Sequence, residues 1–457
     1  MQYHLIGVGG AGMSVIAELL AANGDTVTGS DRQDSANLQH LAELGLSVHP
    51  QHDPTQVPAE ATVVVSSAIR PNNPELVVAR ERGQEVIHRS EALRIAAADR
   101  RFVAVAGAHG KTTTSAMIAA ALSDAGADPG AAIGGPILGI SSGALSGGGD
   151  VFVAEADESD GSFLNYRPQV AVVTNIEADH LDHFGSVDAF EQIFFDFASR
   201  ITPGGTLICC GDDPGAARLA RRSRTELTQI QTWTYGRSPD CDIRIVQESL
   251  AKAGADATLL GPGQGPTPLS LQVTGEHNVL NAAGAWAVGL ALGFDGEEFA
   301  RCLHSFVGAG RRFELIGQAG GRRVFDDYAH HPTELAVALK MARQVAGEGR
   351  IIAVFQPHLY SRTRNFAERF AQVLSTADQV ILADIYAARE DPMPGVTSAL
   401  IAEQLEDLGH PDTYVPGLTV DEVSRRGAAL AEPGDVLLLI GAGDIFLGGD
   451  AAVEEWS

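Results

Sequence analysis

One pattern, an apolar run followed by a glycine-rich loop and a helical stretch, occurs twice and constrains the fold more than any other feature. It is spelled YHLIGVGGAGMSVIAELLAANG at residues 3–24 and VAVAGAHGKTTT at residues 103–114. A strand that enters a helix through such a loop is the opening unit of a parallel α/β sheet. Further strand-like runs with helical spacers follow each copy. The sequence therefore predicts an α/β fold.

The chain has 457 residues, 45% of them hydrophobic, which is too long for a single core. Three α/β series follow one another, and we assign each to a domain. Residues 1–98 form a predicted Rossmann-like domain, residues 99–310 a predicted P-loop ATPase-like domain, and residues 311–457 a second Rossmann-like domain. The stretch 236–276, rich in glycine, proline and short β-like pieces, is interpreted as an excursion from the central domain.

Composition narrows the possible partners. The net charge of −26 and the pI near 4.8 argue against nucleic acid or an anionic membrane as the partner. No run approaches the roughly 18 apolar residues of a membrane span, so no membrane insertion is predicted. The four cysteines show neither a C-x-x-C pair nor zinc spacing, which favours reduced thiols in a cytoplasmic protein. Any phosphate must be attracted locally, by helix N-termini, a few arginines and a metal ion.

Residues 7–12, the first glycine loop, satisfy G-x-G-x-x-G between a predicted strand and a predicted helix. Glycines let the backbone approach a diphosphate, and the helix N-terminus supplies N–H donors. Asp31 ends the next predicted strand, where a ribose or base contact falls in dinucleotide-binding folds. The pattern predicts a diphosphate site but not which nucleotide binds, because UDP-sugars and NAD carry the same diphosphate. A glycine turn used only for packing is the alternative.

Residues 107–110, the second glycine loop, run into Lys111 and Thr112. A complete P-loop has a glycine six residues before its lysine, and Val105 stands there instead. In such loops backbone N–H groups surround the phosphates, the lysine bridges the β- and γ-phosphates, and the next hydroxyl binds Mg²⁺. The strand–loop–helix context preserves that mechanism, so we predict a second phosphate site here.

Polar residues also end several later strands. Glu155 ends the run DVFVAEA, as the acidic residue of an ATP site does, and His180 follows the next strand. In the third domain, polar loops that contain His330, Arg362 and Asp384 each follow a predicted strand. Open parallel sheets bind ligands at the carboxyl ends of their strands. We therefore predict a metal site beside the second glycine loop and a substrate site in the third domain.

Nine segments together resemble a known family. In chain order they are GVGGAGM, GAHGKTT, EADESD, NIEADHLDHF, GEHNVLN, GRRFE, DDYAHHPTE, FQPHLYSRT and DIYAARE. This series resembles the Mur ligases, amide-forming enzymes of peptidoglycan precursor synthesis, over essentially the whole chain. The resemblance implies that the first glycine loop holds the UDP of a sugar nucleotide and the second holds ATP. In that family the shortened second loop is normal.

Within the family, the segments are similar to the branch that joins L-alanine to UDP-N-acetylmuramate. The resemblance implies that ATP phosphorylates the lactyl carboxylate of the sugar nucleotide and that the amine of L-alanine attacks the acyl phosphate. It implies ATP and Mg²⁺ (or Mn²⁺) as cofactors, with UDP-N-acetylmuramate and L-alanine as the other partners. We expect the chain to act as a monomer or a homodimer.

The resemblance also implies a set of site residues. ATP is held by Gly107, Ala108, His109, Gly110, Lys111, Thr112, Thr113, His277, Asn278, Asn281 and Asp327, with His277, Asn278 and Asn281 at the adenine and Asp327 at the ribose. The UDP-sugar is held by Gly9, Gly10, Gly12, Asp31, Ser66 and Ser67. The metal ligands are Thr112, Glu155 and His180. The catalytic residues are Lys111, His180, Arg312, His330 and Arg362.

Three other functions stay open at this point. The first is a recycling ligase that attaches a whole tripeptide to the same sugar nucleotide, although GVGGAGMS and FQPHLYSRT favour the single amino acid. The second, from another class, is an NAD(P)-dependent oxidoreductase built on the first glycine loop alone. It would leave residues 107–180 unexplained. The third is a non-catalytic ATP-binding switch.

Overall fold

The computed structural model describes residues 1–135, 138, 143–177, 186–251, 254–388, 390–410 and 413–456. The strands in that part are β1 Gln2–Ile6, β2 Thr26–Ser30, β3 Ser47–His49, β4 Thr62–Val65, β5 Val86–His88, β6 Arg101–Ala106, β7 Gly130–Ala132, β8 Ala144–Ser146, β9 Val151–Glu155, β10 Val170–Val173, β11 Thr206–Cys210, β12 Gln231–Gly236, β13 Ile243–Ala251, β14 Gly254–Leu260, β15 Thr267–Leu271, β16 Glu314–Ala319, β17 Arg322–Asp327, β18 Ile351–Phe355, β19 Gln379–Leu382 and β20 Val436–Ile440.

The helices are α1 Ala11–Ala22, α2 Ala36–Glu43, α3 Pro74–Glu81, α4 Arg89–Ala97, α5 Lys111–Asp124, α6 Val187–Ala198, α7 Pro214–Glu226, α8 Glu276–Leu292, α9 Gly296–Cys302, α10 Pro332–Ala346, α11 Tyr360–Leu374, α12 Ala399–Asp407, α13 Val420–Leu430 and α14 Gly449–Glu454. Short 3-10 helices cover Pro54–Gln56, Ser162–Asn165, Leu303–Ser305 and Ile445–Gly448.

The first sheet has the strand order β3-β2-β1-β4-β5, and all of its strands are parallel. The predicted Rossmann-like pattern is confirmed in this region. The segment QEVIHRSEAL at residues 84–93, strand-like in sequence, divides between β5 and the first residues of α4. Strand β5 ends at His88, whose side chain accepts a hydrogen bond from the backbone of Ser90 and caps α4.

The second sheet has ten strands in the order β15-β14-β13-β12-β11-β10-β6-β9-β7-β8. The strands from β13 to β7 pair in parallel, whereas β14, β15 and β8 join at the edges in antiparallel fashion. Much of the stretch 236–276 thus extends the central sheet and is not an excursion from it. Its strands alternate buried and exposed residues, as expected of antiparallel strands with one solvated face.

The third sheet has the order β16-β17-β20-β18-β19 and is parallel except for the β16–β17 hairpin. Successive residues of β18 pack into different cores: Ile351, Ala353 and Phe355 lie in one, and Ile352 and Val354 in the other. A strand buried on both faces reads as a continuous apolar run, which is how β18 and β20 appear in the sequence.

The described residues fall into two compact units, Met1–Gly308 with the first two sheets and Ala309–Ser457 with the third. All four cysteines are buried free thiols. Among the described helices, none combines the length and the apolar character needed to cross a bilayer.

Candidate functional site

The first glycine loop folds over the end of β2. The N–H groups of Gly7 and Val8 both donate to the carbonyl oxygen of Ser30, at 2.8 and 3.0 Å. Gly7 has a φ of +82°, which favours glycine. Gly10 is the N-cap of α1 and provides no side-chain cap, so the first-turn amides of α1 are not satisfied by a capping side chain. This arrangement suits an anion.

Asp31 lies beside this loop, as predicted, and its Oδ2 accepts a 2.9 Å hydrogen bond from the N–H of Gly9. The loop glycines are needed because other groups approach closely. A Cβ atom on Gly9 would lie 2.8 Å from Ser35 Oγ, and one on Gly12 would lie 3.1 Å from Arg89 Nη1. Asp31 and Arg89 thus place one acidic and one basic group at the first glycine loop.

Ser66 and Ser67 directly follow β4, which is paired in parallel with β1, so they lie at the same sheet edge as the first glycine loop. The hydroxyl of Ser67 donates a short hydrogen bond to the carboxylate of Asp160 and lies 3.2 Å from His88 Nε2. Ser66 is half-buried. The structure therefore brings together the six residues predicted to hold the sugar nucleotide.

The second glycine loop is held by the end of β10. Thr174 Oγ1 donates to the carbonyl of His109 at 2.6 Å, and the Asn175 side chain both accepts from the N–H of His109 and donates to its carbonyl. Gly107 and Gly110 have φ values of +128° and +82°. A Cβ atom on Gly107 would overlap Thr174 Oγ1. Both glycines are required by the backbone conformation of the loop.

Lys111 is the first residue of α5 and is surrounded by oxygen atoms. Its Nζ donates to the carbonyl of Gly107 at 2.5 Å, to that of Ala108 at 3.3 Å, and to both carboxylate oxygens of Glu158 at 3.0 and 3.1 Å. Burial alone would lower the pKa of Lys111, but the carboxylates of Glu158 and Asp157 outweigh it and raise the pKa. Lys111 is therefore held as a cation at the second glycine loop.

Thr112, Thr113 and Glu155 lie next to this cation. Thr112 and Thr113 belong to the first turn of α5, and Thr112 is buried. Glu155 ends β9 opposite Val105 of β6, the strand that leads into the loop, and accepts a 2.7 Å hydrogen bond from the N–H of Gly134. The predicted third metal ligand, His180, lies outside the described residues.

The residues predicted to hold adenine lie on α8, which packs against α5. Asn281 reaches the second glycine loop, because a Cβ atom on Gly110 would lie 2.9 Å from Asn281 Oδ1. Asn278 instead donates to the carbonyl of Thr274 at 2.7 Å, and the His277 ring lies against Gly275. Of the three, only Asn281 is shown here next to the loop.

In the unit Ala309–Ser457, His330 and Arg362 come together with two residues that complete an aromatic and basic cluster. The ring centroids of His330 and His358 are 5.8 Å apart, and those of His358 and Tyr386 are 6.0 Å apart. Arg362 Nη1 lies 3.3 Å from His358 Nδ1. Burial, assisted by Arg362, lowers the pKa of His330 to about 4, so this histidine is neutral at pH 7. The cluster lies where β17, β18 and β19 end.

Arg312 and Asp327 occupy the start of the same unit. The oxygens of Asp327 accept from the N–H groups of Phe313 and Ala329, at 2.9 and 2.8 Å. Burial raises the pKa of Asp327 to about 7, although Arg312 opposes that shift. The guanidinium of Arg312 lies 5.3 Å from the centre of the Tyr328 ring. Asp327 thus fixes two backbone turns here, and its contact with the ATP ribose stays a prediction.

Sequence reasoning missed four residues that contact the candidate site. Glu158 pairs with Lys111, Asp160 accepts a hydrogen bond from Ser67, and Arg89 pairs with Asp157. Tyr386 stacks on His358. All except Arg89 lie inside segments that the sequence analysis singled out, EADESD and DIYAARE. The signal was therefore present, but the residue type alone did not show which partner each side chain would find.

The fold has three β-sheets packed with helices, two glycine loops of the phosphate-binding kind, and a lysine at the start of the helix after the second loop. These features define an α/β protein with phosphate-binding loops. The sequence matches three family descriptions in order: "Mur ligase family, catalytic domain" over residues 2–101, "Mur ligase middle domain" over 105–289 and "Mur ligase, glutamate ligase domain" over 311–443. The chain belongs to the Mur ligase family.

Relatives agree with that assignment. The UDP-N-acetylmuramate–L-alanine ligase of Renibacterium salmoninarum is 49% identical over 99% of this chain and 95% of its own length. Among solved structures, the UDP-N-acetylmuramate-alanine ligase of Thermotoga maritima aligns with a TM-score of 0.83 and 28% identity, covering 100% of this chain and 99% of its own. A murein peptide ligase from Psychrobacter arcticus shares the fold, with a TM-score of 0.74 and 24% identity over 99% of both chains.

Proposed function

We propose that this protein is an ATP-dependent ligase that joins L-alanine to the lactyl carboxylate of UDP-N-acetylmuramate, giving UDP-N-acetylmuramoyl-L-alanine, ADP and phosphate. The observation that carries the proposal is the pair of glycine loops within one compact unit, of which only the second is followed by a lysine. A ligase of this kind needs one site for a diphosphate that stays intact and one for a triphosphate that reacts. The identity of 49% to an L-alanine ligase over nearly the full chain supports this substrate pair.

In this proposal the three predicted domains have separate tasks. Residues 1–98 bind the UDP-sugar through the first glycine loop, Asp31, Ser66 and Ser67. Residues 99–310 bind ATP through the second glycine loop, and residues 311–457 supply Asp327 for the ATP ribose and the groups that bind L-alanine. We place the enzyme in the cytoplasm, as a monomer or a homodimer.

Charge neutralisation is the main task of the side chains around the reacting groups. The lactyl carboxylate and the γ-phosphate are both anionic, so their approach needs nearby cations. Lys111 is held at the second glycine loop as a cation, and we assign it to the β- and γ-phosphates. Arg312 is assigned to the transferring phosphate, and Arg362 to the carboxylate of L-alanine. His330, which is neutral at pH 7, is assigned together with Arg362 to holding L-alanine.

The donor atoms at the second glycine loop fit a hard divalent cation such as Mg²⁺ or Mn²⁺. The Thr112 hydroxyl and the Glu155 carboxylate are oxygen ligands of the kind that these ions prefer, and we assign both, with His180, to the metal. When bound, the ion supplies positive charge to the phosphate oxygens. Excess EDTA should reduce ligation to background, and added Mg²⁺ should restore it.

The test is phosphate release with ATP, UDP-N-acetylmuramate and one amino acid at a time. Phosphate should appear only when both the sugar nucleotide and the amino acid are present, and fastest with L-alanine. Release that requires the tripeptide instead would identify the recycling ligase. Release that needs neither substrate would identify an ATP-binding switch. An NADH titration that shows tight binding would favour the oxidoreductase.

A further inference from the structure

One turn carries carboxylates that reach both glycine loops. Residues 155–160, the acidic turn, begin at the last residue of β9, an interior strand of the second sheet. Glu155 and Glu158 face the second loop, where Glu158 pairs with Lys111. Asp157 and Asp160 instead contact residues from the first 98 of the chain. The partners of the turn therefore belong to two different sheets.

Asp157 and Asp160 use the same geometry. Oδ1 of Asp157 accepts from the N–H of Ser159 at 3.0 Å, and Oδ1 of Asp160 accepts from the N–H of Ser162 at 2.9 Å. In each case the other oxygen, Oδ2, binds a side chain outside the turn. One oxygen thus fixes the carboxylate to its own backbone while the other is presented outward.

The outward oxygen of Asp157 holds Arg89 beside the first glycine loop. Asp157 Oδ2 lies 2.7 Å from Arg89 Nη2. The other terminal nitrogen, Arg89 Nη1, is the group that a Cβ atom on Gly12 would meet at 3.1 Å. Arg89 is the first residue of α4, so it starts at the carboxyl end of β5 and reaches across the sheet edge to α1. A long, flexible side chain needs such an anchor to stay at one place.

The outward oxygen of Asp160 holds Ser67, which we assign to the sugar nucleotide. The short hydrogen bond from Ser67 Oγ to Asp160 Oδ2 is accompanied by His88 Nε2 at 3.8 Å from the same oxygen. Ser67 follows β4, and His88 is the last residue of the adjacent parallel strand β5. Asp160 therefore contacts the carboxyl ends of both strands, at the edge where the diphosphate is expected.

The negative charge around the first glycine loop explains why a cation must be held beside it. The chain carries a net charge of −26, and Asp31 already binds the N–H of Gly9. A diphosphate at this loop meets Asp31 and needs a nearby cation in compensation. Arg89 is placed to provide it. The ion pair with Asp157, 2.7 Å long, holds the guanidinium of Arg89 in that place.

We propose that Asp157 and Asp160, although they belong to the ATP-binding segment of the chain, are positioning residues for the sugar nucleotide, and that they hold Arg89 and Ser67 against its diphosphate. Along the acidic turn, successive carboxylates then contact side chains at different glycine loops. Asp157 and Asp160 serve the first, and Glu155 and Glu158 serve the second. This inference rests on the proposed function, because it takes the ligand of the first glycine loop to be a UDP-sugar.

The test is calorimetric binding of UDP-N-acetylmuramate to the full-length protein without ATP. Asp157→Asn should weaken binding about tenfold and Asp160→Asn about threefold, since each loses one charge-assisted hydrogen bond to a binding residue. Arg89→Gln should weaken it at least as much as Asp157→Asn. Glu158→Gln should leave it within about twofold. The matched control is Asp150→Asn, which removes an exposed ion pair with Arg101 from the same sheet.

Steady-state kinetics distinguish a positioning role for the sugar nucleotide from a non-specific structural effect of the substitution. In Asp160→Asn the KM for UDP-N-acetylmuramate should rise while kcat and the KM for ATP stay within about twofold, and Asp160→Glu should recover part of the loss. Equal loss of affinity for both nucleotides, or wild-type affinity in Asp157→Asn and Asp160→Asn, would overturn the inference alone. If the wild-type protein does not bind UDP-N-acetylmuramate, the proposed function fails as well.

Discussion

The two glycine loops have the same local construction but differ in the charged group that is bonded to the loop backbone. Each follows a buried parallel strand, and each leads into a helix whose N-cap, Gly10 or Gly110, offers no side-chain hydrogen bond. At the first loop that group is the carboxylate of Asp31, bound to the N–H of Gly9, and Arg89 lies nearby beside Gly12. At the second loop it is the ammonium of Lys111, bound to the loop carbonyls and to Glu158.

This difference shows that a glycine loop alone does not determine whether the phosphate it binds stays intact or reacts. Backbone N–H groups and a helix N-terminus are enough to bind a phosphate that stays intact. A phosphate that is transferred changes its charge distribution during the reaction, and cations placed against it lower the barrier. In the proposed function the first loop therefore only binds, whereas the second also catalyses. Variants that remove a charge or a glycine from one loop at a time test whether the first loop only binds and the second also catalyses.

The largest effect is expected from Lys111→Ala, which removes the cation from the second loop. Ligation should slow by a factor on the order of 10²–10³ or more, because the transferring phosphate loses its main counter-charge. Phosphate-release assays at saturating substrates measure this. Lys340→Ala, at an exposed position of α10, is the control. Near-normal turnover in Lys111→Ala would mean that the second loop is not the ATP site.

The next prediction compares one glycine from each loop. Gly107→Ala should cost about 3 kcal/mol of unfolding free energy, because the added Cβ atom would overlap Thr174 Oγ1 and lie 2.9 Å from the backbone of Asn175, at a φ of +128°. Gly10→Ala should cost no more than about 1 kcal/mol, since its nearest neighbour would be 3.4 Å away. Urea titrations of both variants test the difference, and equal costs would contradict it.

The fold and both loops could be predicted because glycine patterns and apolar periodicity act locally. The strand before each loop and the helix after it are where the sequence placed them. Glycines with positive φ leave few alternatives for the backbone. The three sheets followed from the same local signals, since each strand is a short apolar run that ends in a polar loop.

The pairing of side chains could not be predicted, because it depends on contacts between distant segments. Four carboxylates in EADESD look alike in sequence, yet their partners are Gly134, Arg89, Lys111 and Ser67. The stretch 236–276 was misread for a similar reason. Its Gly- and Pro-rich composition is typical of a loop, but its strands gain stability from pairing with the central sheet. Tertiary contacts decided both cases.

A smaller effect is expected from Asp31→Ala, which removes the carboxylate from the first loop. Affinity for UDP-N-acetylmuramate should fall about tenfold, because the predicted contact of Asp31 with the ribose or base is lost. Affinity for an ATP analogue should stay within about twofold, since the second loop keeps Lys111 and Glu158. Calorimetry with each nucleotide measures both numbers. A loss confined to the ATP analogue would mean that the two loops had been assigned to the wrong nucleotides.

The smallest effect concerns the pH dependence that the buried His330 side chain adds to the stability of the protein. Burial lowers the pKa of His330 to about 4, below the ordinary value near 6.5 that applies when the chain is unfolded. The folded state therefore resists protonation, and the protein loses stability as pH falls below that unfolded value. Between pH 8 and pH 6 this single group should cost about 1 kcal/mol.

His330→Gln isolates that contribution, because the carboxylate of Glu334 and the guanidinium groups of Arg312 and Arg362 stay in place. Denaturant titrations at pH 8 and pH 6 should show the wild type losing about 1 kcal/mol more than the variant. The first and second glycine loops, held by backbone groups and glycine conformation, should contribute nothing to this difference. An identical pH dependence in both proteins would mean that His330 is solvated in the folded state.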